Sequence, residues 1–209
     1  MSSAGIPPRV VVGICGASGV VYGVRALEML AQLGVETHLV LTKAAKATLT
    51  HETDLTVAQV RELASYVHAE QDLGAAISSG SFPVHGMLVA PCSIKSLSGI
   101  ANCYDDNLLV RAADVTLKER RPLVLLLRET PLHLGHLRLM TQASEAGATI
   151  MPPVPAFYTR PASLEEMIGH TVGRALDQLR LSHPATERWS LDARAARASG
   201  AVEVTAPLR

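Results

Sequence analysis

The chain has 209 residues, 48% hydrophobic and 18% charged, with 19 basic side chains balanced by 19 acidic ones. That length and apolar content suit one sizeable domain with a buried core and exclude disorder for most of it, while a net charge near zero leaves no electrostatic footprint for nucleic acid or an anionic membrane. Three widely spaced cysteines (Cys15, Cys92, Cys103) make no disulfide framework, no Cys/His cluster has zinc spacing, and no apolar run approaches the ~18 residues of a membrane span. The N-terminus lacks a signal-peptide layout, so a soluble, cytoplasmic protein is expected.

Residues 10–14 form a β-branched run ending in a strand-to-helix turn, and a helical stripe follows over 20–33 until Gly34 stops it. Residues 35–41 read as the next strand, completing a β-α-β unit with parallel strands and a right-handed crossover. The alternation continues with helices over 43–50 and 57–67, a strand at 87–90, and helices over 93–101 and 108–119. A strand at 123–127, a helix over 132–146, a strand at 148–151 and a helix over 164–179 complete the pattern. Continuous apolar strands require a sheet covered on both faces. The predicted fold is therefore a doubly wound, Rossmann-like α/β three-layer sandwich with a mainly parallel sheet, formed by residues 1–181. Residues 182–209 lose the periodicity and read as a docking arm or a disordered tail, with Trp189 favouring docking.

Ligands of such sheets bind beyond the carboxyl ends of the strands, and the suspect polar groups fall there. The loop at 13–19, Gly-Ile-Cys-Gly-Ala-Ser-Gly, pairs glycine-permitted close approach with the N–H groups and positive dipole of a helix N-terminus. The loop is either an anion cradle for phosphate or flavin, or a tight turn capped by Ser18. A nicotinamide site needs an acidic residue at the end of the second strand. That strand ends in Leu41-Thr42-Lys43, which favours a mononucleotide with one terminal phosphate.

The segment from Pro91 to Ser96 opens a helix with clustered hydroxyls; Cys92 there is either a thiolate nucleophile or a small buried residue. Arg111, Asp114 and Lys118 share one helical face, either as solvated ion pairs or as phosphate clamps. Arg128-Glu129 follows an apolar strand directly and reads as a salt bridge or as a carboxylate placed to exchange protons. Glu52, in His51-Glu52-Thr53-Asp54, is ambiguous and fits an ordinary helix end. The proline-rich loop at 152–158 presents Phe157 and Tyr158, and Arg174 lies off the apolar stripe of its helix, solvated or reaching a ligand in a neighbouring subunit. His133 and His136 have no third ligand nearby and read as capping or surface groups. Asp105-Asp106 lacks the repeated acidic spacing of a magnesium diphosphate site.

At these same residues the sequence resembles the UbiX family of flavin prenyltransferases, from about Arg9 to Leu179. The motifs are Gly16-Ala17-Ser18-Gly19 with Tyr22-Gly23, Lys43-Ala44-Ala45, Glu52-Thr53-Asp54, Ser79-Gly80-Ser81, Pro91-Cys92-Ser93, Arg111-Ala112-Ala113-Asp114, the stretch from Leu117 to Leu123, Arg128-Glu129-Thr130-Pro131 and Met151-Pro152-Pro153. The resemblance implies transfer of a dimethylallyl group from dimethylallyl monophosphate to N5 and C6 of reduced FMN, without a metal. The product, prenylated FMN, would serve a UbiD-type decarboxylase, often in ubiquinone synthesis, and the enzyme would assemble as a dodecamer with sites at subunit contacts. Carried over by position, Gly16, Ala17, Ser18, Thr42, Ser93, Ile94, Lys95, Ser96 and Arg128 would hold FMN. Thr42 keeps the hydroxyl where family members often have Ser. Arg111, Lys118, Arg128, Tyr158 and Arg174 would hold the prenyl phosphate; Ser18, Glu52 and Glu129 would handle protons, with Lys118 assisting catalysis. Trp189 resembles a family tryptophan near the site, although the tail around it matches poorly. Two alternatives share the flavin: a flavin-dependent cysteine decarboxylase, which expects an Ala-Asn-Thr type motif where residues 92–96 read Cys-Ser-Ile-Lys-Ser, and a non-catalytic flavin carrier, which leaves the clamps unexplained.

Overall fold

The apolar run that opens the chain is covered on both faces: Val10, Val11, Val12 and Ile14 are each at most 1% exposed. Only a strand between two helical layers buries every side chain in this way. The computed structural model describes residues 7–184 and residue 186. Its strands are β1 (Arg9–Ile14), β2 (Glu36–Leu41), β3 (Tyr66–His68), β4 (Gly86–Cys92), β5 (Leu123–Leu127) and β6 (Ala148–Ile150). Its helices are α1 (Val20–Gln32), α2 (Lys43–Glu52), α3 (Val57–Glu62), α4 (Ile94–Ala101), α5 (Leu108–Lys118), α6 (Leu134–Glu145) and α7 (Leu164–Gln178).

The strands form one sheet in the order β3-β2-β1-β4-β5-β6, with all five neighbouring pairs parallel. The expected mainly parallel sheet is wholly parallel. The outward-facing sides of β1 divide two cores. Val10, Val12 and Ile14 pack with α1, α2, α3 and α7, whereas Val11 packs with α4, α5 and α6. This alternation is the period of two in a strand, and it builds the three layers.

One expected helix needs correction. The chain leaves α3 at Glu62, and Tyr66–His68 adds a sixth, edge strand to β2 instead of prolonging the helix to Val67. A reciprocal clasp sets the register: Thr37 N–H donates to Ser65 Oγ at 3.1 Å and Ser65 N–H donates to Thr37 Oγ1 at 3.0 Å. Such backbone competition by hydroxyls ends helices, and β-prone Tyr66 and Val67 then extend. At the other end of the domain the chain stays packed past Leu181. His183 is buried with its Nε2 2.7 Å from Gln32 Oε1, and Thr186 is buried against Gly173 on α7. Trp189 lies outside the described residues.

The start of α1 departs from a Ser18 cap. Gly19 is the N-cap, in the left-handed region at φ 97°, and no side chain of its own caps the helix. Glycine tolerates that conformation where other residues are strained. Glu52, the last residue of α2, supplies the missing acceptor: its Oε2 takes the Gly19 N–H at 2.8 Å and the Val20 N–H at 3.1 Å. Partial burial works against the charged carboxylate. The Ser18 hydroxyl, these two N–H groups and the Arg128 guanidinium outweigh it and hold Glu52 below the usual glutamate range.

Gly23 brings α1 hard against the sheet, since a Cβ there would meet the Ala90 carbonyl oxygen and approach Ile14 Cδ1 to 2.7 Å. Gly23→Ala is therefore expected to destabilise the fold by about 1–3 kcal/mol through overpacking, read from urea midpoints; an unchanged midpoint would mean that the helix can back away freely. Glu52→Ala is expected to lose about 0.5–1 kcal/mol of capping at neutral pH. Because the folded carboxylate is the more acidic, that contribution is present above the ordinary glutamate pKa and disappears as pH falls through the lower folded value. Denaturation curves of variant and parent should differ at pH 7 and converge only as pH falls below that lowered folded value.

Candidate active site

Between β1 and β4 the direction of strand order reverses, and the loops that follow these strands leave toward opposite helical layers. The crevice so opened is lined by the loop at 15–19 and the segment at 91–96, which touch through the Cys15 N–H and the Pro91 carbonyl at 3.2 Å. Three separated stretches converge at its first wall: Ser18 hydrogen-bonds the Glu52 carboxylate from α2, and Arg128, one residue past β5, acts on the same carboxylate. The Arg128 backbone N–H donates to the Cys92 carbonyl at 3.0 Å, tying the end of β5 to the end of β4. Thr48 holds the loop from behind, its hydroxyl donating to the Gly16 carbonyl at 3.4 Å.

The second wall is the N-terminus of α4. Ser93 is its N-cap and accepts the Ser96 N–H at 3.2 Å. The register of β4 against β5 shifts between Val89 and Cys92, an irregularity of the kind that re-aims side chains beside sites. Thr42, at the end of β2, is buried; its N–H donates to the Ile14 carbonyl at 3.1 Å and its hydroxyl caps α2 at Ala45. Lys95 is largely exposed and pairs with Asp106 at 3.6 Å. Glu129 is half-buried next to Arg128, one oxygen taking the Thr130 N–H at 3.0 Å.

Cys92 is a core residue and no nucleophile. Its thiol is fully buried, and contact with Cys15, followed by burial itself, raises its pKa well above the ordinary thiol value. Cys15 is the group that the sequence reading passed over: it is buried and donates to Ser96 Oγ at 3.0 Å, linking the two walls from beneath. Its position immediately after β1 was the available signal. His133 caps α6 through Nδ1, which accepts the Gly135 N–H at 3.0 Å, and His136 lies against it with ring centroids 3.6 Å apart. A cavity of about 910 Å³ opens between α4 and α6. It shares Ile94, Lys95 and Ser96 with the crevice but none of residues 16–19, Thr42 or Arg128, so it extends the crevice sideways and is not its floor.

The remaining cations do not join these groups within one chain. Arg111 is clasped by Asp114 at 3.0 Å and Asp105 at 3.1 Å, and its Nε donates to the Ser78 carbonyl at 3.3 Å. Lys118 ends α5, which runs back from the carboxyl to the amino edge of the sheet and carries it about 15 Å from the helix start. There it pairs with Glu119 beside Gly80. Tyr158 and Arg174 belong to the opposite layer: the Tyr158 hydroxyl is 3.3 Å from His170 Nε2 on α7, and Arg174 pairs with Asp177 at 2.7 Å. The sheet therefore separates Arg111 and Lys118 from Tyr158 and Arg174. Among the described residues no group of three or more His, Cys, Asp or Glu side chains is arranged to hold a metal ion, and no helix is long and apolar enough to cross a membrane.

The crevice suits a flavin mononucleotide: unpaired N–H groups at a glycine-rich turn for its phosphate, and hydroxyl groups for its ring edge. Comparison with known proteins agrees. The family profile described as Flavoprotein matches residues 4–169. The chain is 60% identical over 184 residues to flavin prenyltransferase UbiX of Escherichia coli K12, covering 87% of this chain and 97% of that protein. It superposes with a TM-score of 0.87 at 50% identity on the crystal structure of AnUbiX (PadA1) in complex with FMN and dimethylallyl pyrophosphate, covering 88% and 98% of the two chains. A dodecameric FMN-dependent Ubix-like decarboxylase from Escherichia coli O157:H7 follows with a TM-score of 0.85 at 46% identity, covering 87% and 99%. The fold, the cradle and this degree of identity lead to one assignment: the chain belongs to the UbiX family of flavin prenyltransferases.

Proposed function

We propose that this prenyltransferase takes its dimethylallyl group from dimethylallyl monophosphate, joins it to N5 and C6 of reduced FMN, and does so in a site completed by neighbouring copies of the chain. The observation that carries the reading is the division of the basic groups. Ser18, Glu52 and Arg128 meet at the carboxyl edge of the sheet, while Arg111 and Lys118 lie in one helical layer and Arg174 in the other. They can surround one phosphate only when a second subunit brings its own across an interface, as a dodecamer would allow. The AnUbiX complex holds the diphosphate ester, which presents the same terminal chemistry to such a cluster.

In this reading residues 16–18, Thr42, residues 93–96 and Arg128 hold FMN. Arg111, Lys118, Arg128, Tyr158 and Arg174 grip the donor's phosphate. Cleavage of the allylic C–O bond leaves negative charge on that phosphate and positive charge on the departing five-carbon group. Preplaced guanidinium and ammonium groups stabilise the leaving anion, one such donor supplying about 3 kcal/mol. Reduced FMN, when bound, supplies the electron-rich atoms that capture the prenyl group. Holding both partners in one crevice makes the encounter effectively unimolecular. Glu129 accepts the proton that C6 releases as the fourth ring closes, and Ser18 with Glu52 steadies the phosphate side and passes protons there. The product then serves a UbiD-type decarboxylase in the cytoplasm.

Glu129→Gln is expected to bind FMN normally yet stall before the four-ring product, seen by mass spectrometry of the extracted flavin; full prenylation by this variant would remove Glu129 from the mechanism. Lys118→Ala should weaken the prenyl phosphate at least tenfold with FMN affinity unchanged, by calorimetric titration of each ligand. Co-expressing these two variants tests the shared site. Mixed oligomers should regain about a quarter of parental activity if each site draws Lys118 and Glu129 from different chains, and none if both come from one chain.

A further inference from the structure

Ser96 lies in the first turn of α4 with its side chain almost wholly buried, at 7% exposure. Its Oγ accepts two hydrogen bonds, from the Cys15 thiol at 3.0 Å and from the Ser93 hydroxyl at 3.2 Å. The Ser93 oxygen in turn accepts the Ser96 N–H. A hydroxyl offers two acceptor lone pairs and one proton. Both lone pairs are thus engaged from inside the protein, and the hydroxyl's own proton is the one part of the group these bonds leave over. That proton is available to a ligand in the crevice, which the first turn of α4 borders.

We propose that Cys15 is a positioning residue for the flavin: by donating to Ser96 it fixes that hydroxyl as a one-way donor toward an acceptor atom of the bound isoalloxazine. The inference rests on the reading that residues 93–96 hold FMN. Without the thiol, the Ser96 hydroxyl has an unoccupied lone pair and is free to rotate, and it spends part of its time turned away from the ligand. Cys92 does not substitute, because its thiol lies against Cys15 and the Ser93 carbonyl rather than Ser96. The thiol also suits the place: Cys15 is 1% exposed among apolar neighbours, where its weak polarity is tolerated and its single proton has a fixed partner.

The test is titration of the full-length protein and its variants with oxidised FMN, following affinity and the displacement of the flavin's near-ultraviolet absorption band, which responds to hydrogen bonds at the ring. Ser96→Ala should weaken FMN about tenfold and abolish the displacement. Cys15→Ala and Cys15→Val, the second filling the space without a donor, should each weaken FMN about threefold to tenfold and reduce the displacement, while Cys15→Ser restores both. Wild-type affinity and spectrum in the alanine and valine variants would overturn the proposal, as would a serine variant as weak as the alanine one, since packing alone would then explain the effect. An unaltered Ser96→Ala variant would instead remove Ser96 from the flavin contact and with it the reading of residues 93–96.

Discussion

Two parallel strands whose following helices depart to opposite faces cannot close over the gap between them, and the groups left at that gap define this protein. β1 and β4 are such a pair. Their loops open helices whose first backbone N–H groups have no partner within the helix itself. The chain answers this in two ways. Glu52 reaches from α2 to take two of them at the head of α1, and Ser93 caps α4. The capping carboxylate is itself held by Ser18 and by Arg128. The groups that cap the helices are thus the same small set that lines the crevice.

The second consequence is spatial. A helix that follows a strand in this architecture must run back to the sheet's amino edge, so a cation late in α5 or α7 is carried away from the carboxyl strand ends and the crevice between them. Lys118 and Arg174 both show it, and each is engaged locally, with Glu119 and Asp177. Glu119 is a surface acid whose pair contributes little on its own, whereas Asp177 is largely buried. Both pairs hold their long side chains locally. In the proposed reading a single chain binds the electron-rich partner, and the assembly gathers charge around the leaving group.

Much of this could be read before any coordinates. Apolar runs such as Val10 to Val12 announced buried parallel strands, and the residues directly after each run marked the crevice, including Ser18, Ser93 and Arg128. What escaped depended on contacts distant in sequence. The β3 strand was hidden because residues 57–67 keep a helical stripe, and the Thr37–Ser65 clasp that ends it joins positions 28 apart. The true cap of α1 lies 33 residues away at Glu52, so a local reading gave the part to Ser18. Cys15 looked like any small residue within a glycine-rich turn, until the approach of α4 placed Ser96 against it. Helical spacing put Arg111 and Lys118 on one face, but it could not say that α5 carries Lys118 to the far edge of the sheet, away from Ser18 and Arg128.

The most direct test of the whole account is the mass of the flavin recovered after anaerobic incubation of the assembled protein with reduced FMN and dimethylallyl monophosphate. A gain of one five-carbon unit, with release of inorganic phosphate, is the predicted result. Flavin recovered at its starting mass, from protein that has bound both ligands, would contradict it.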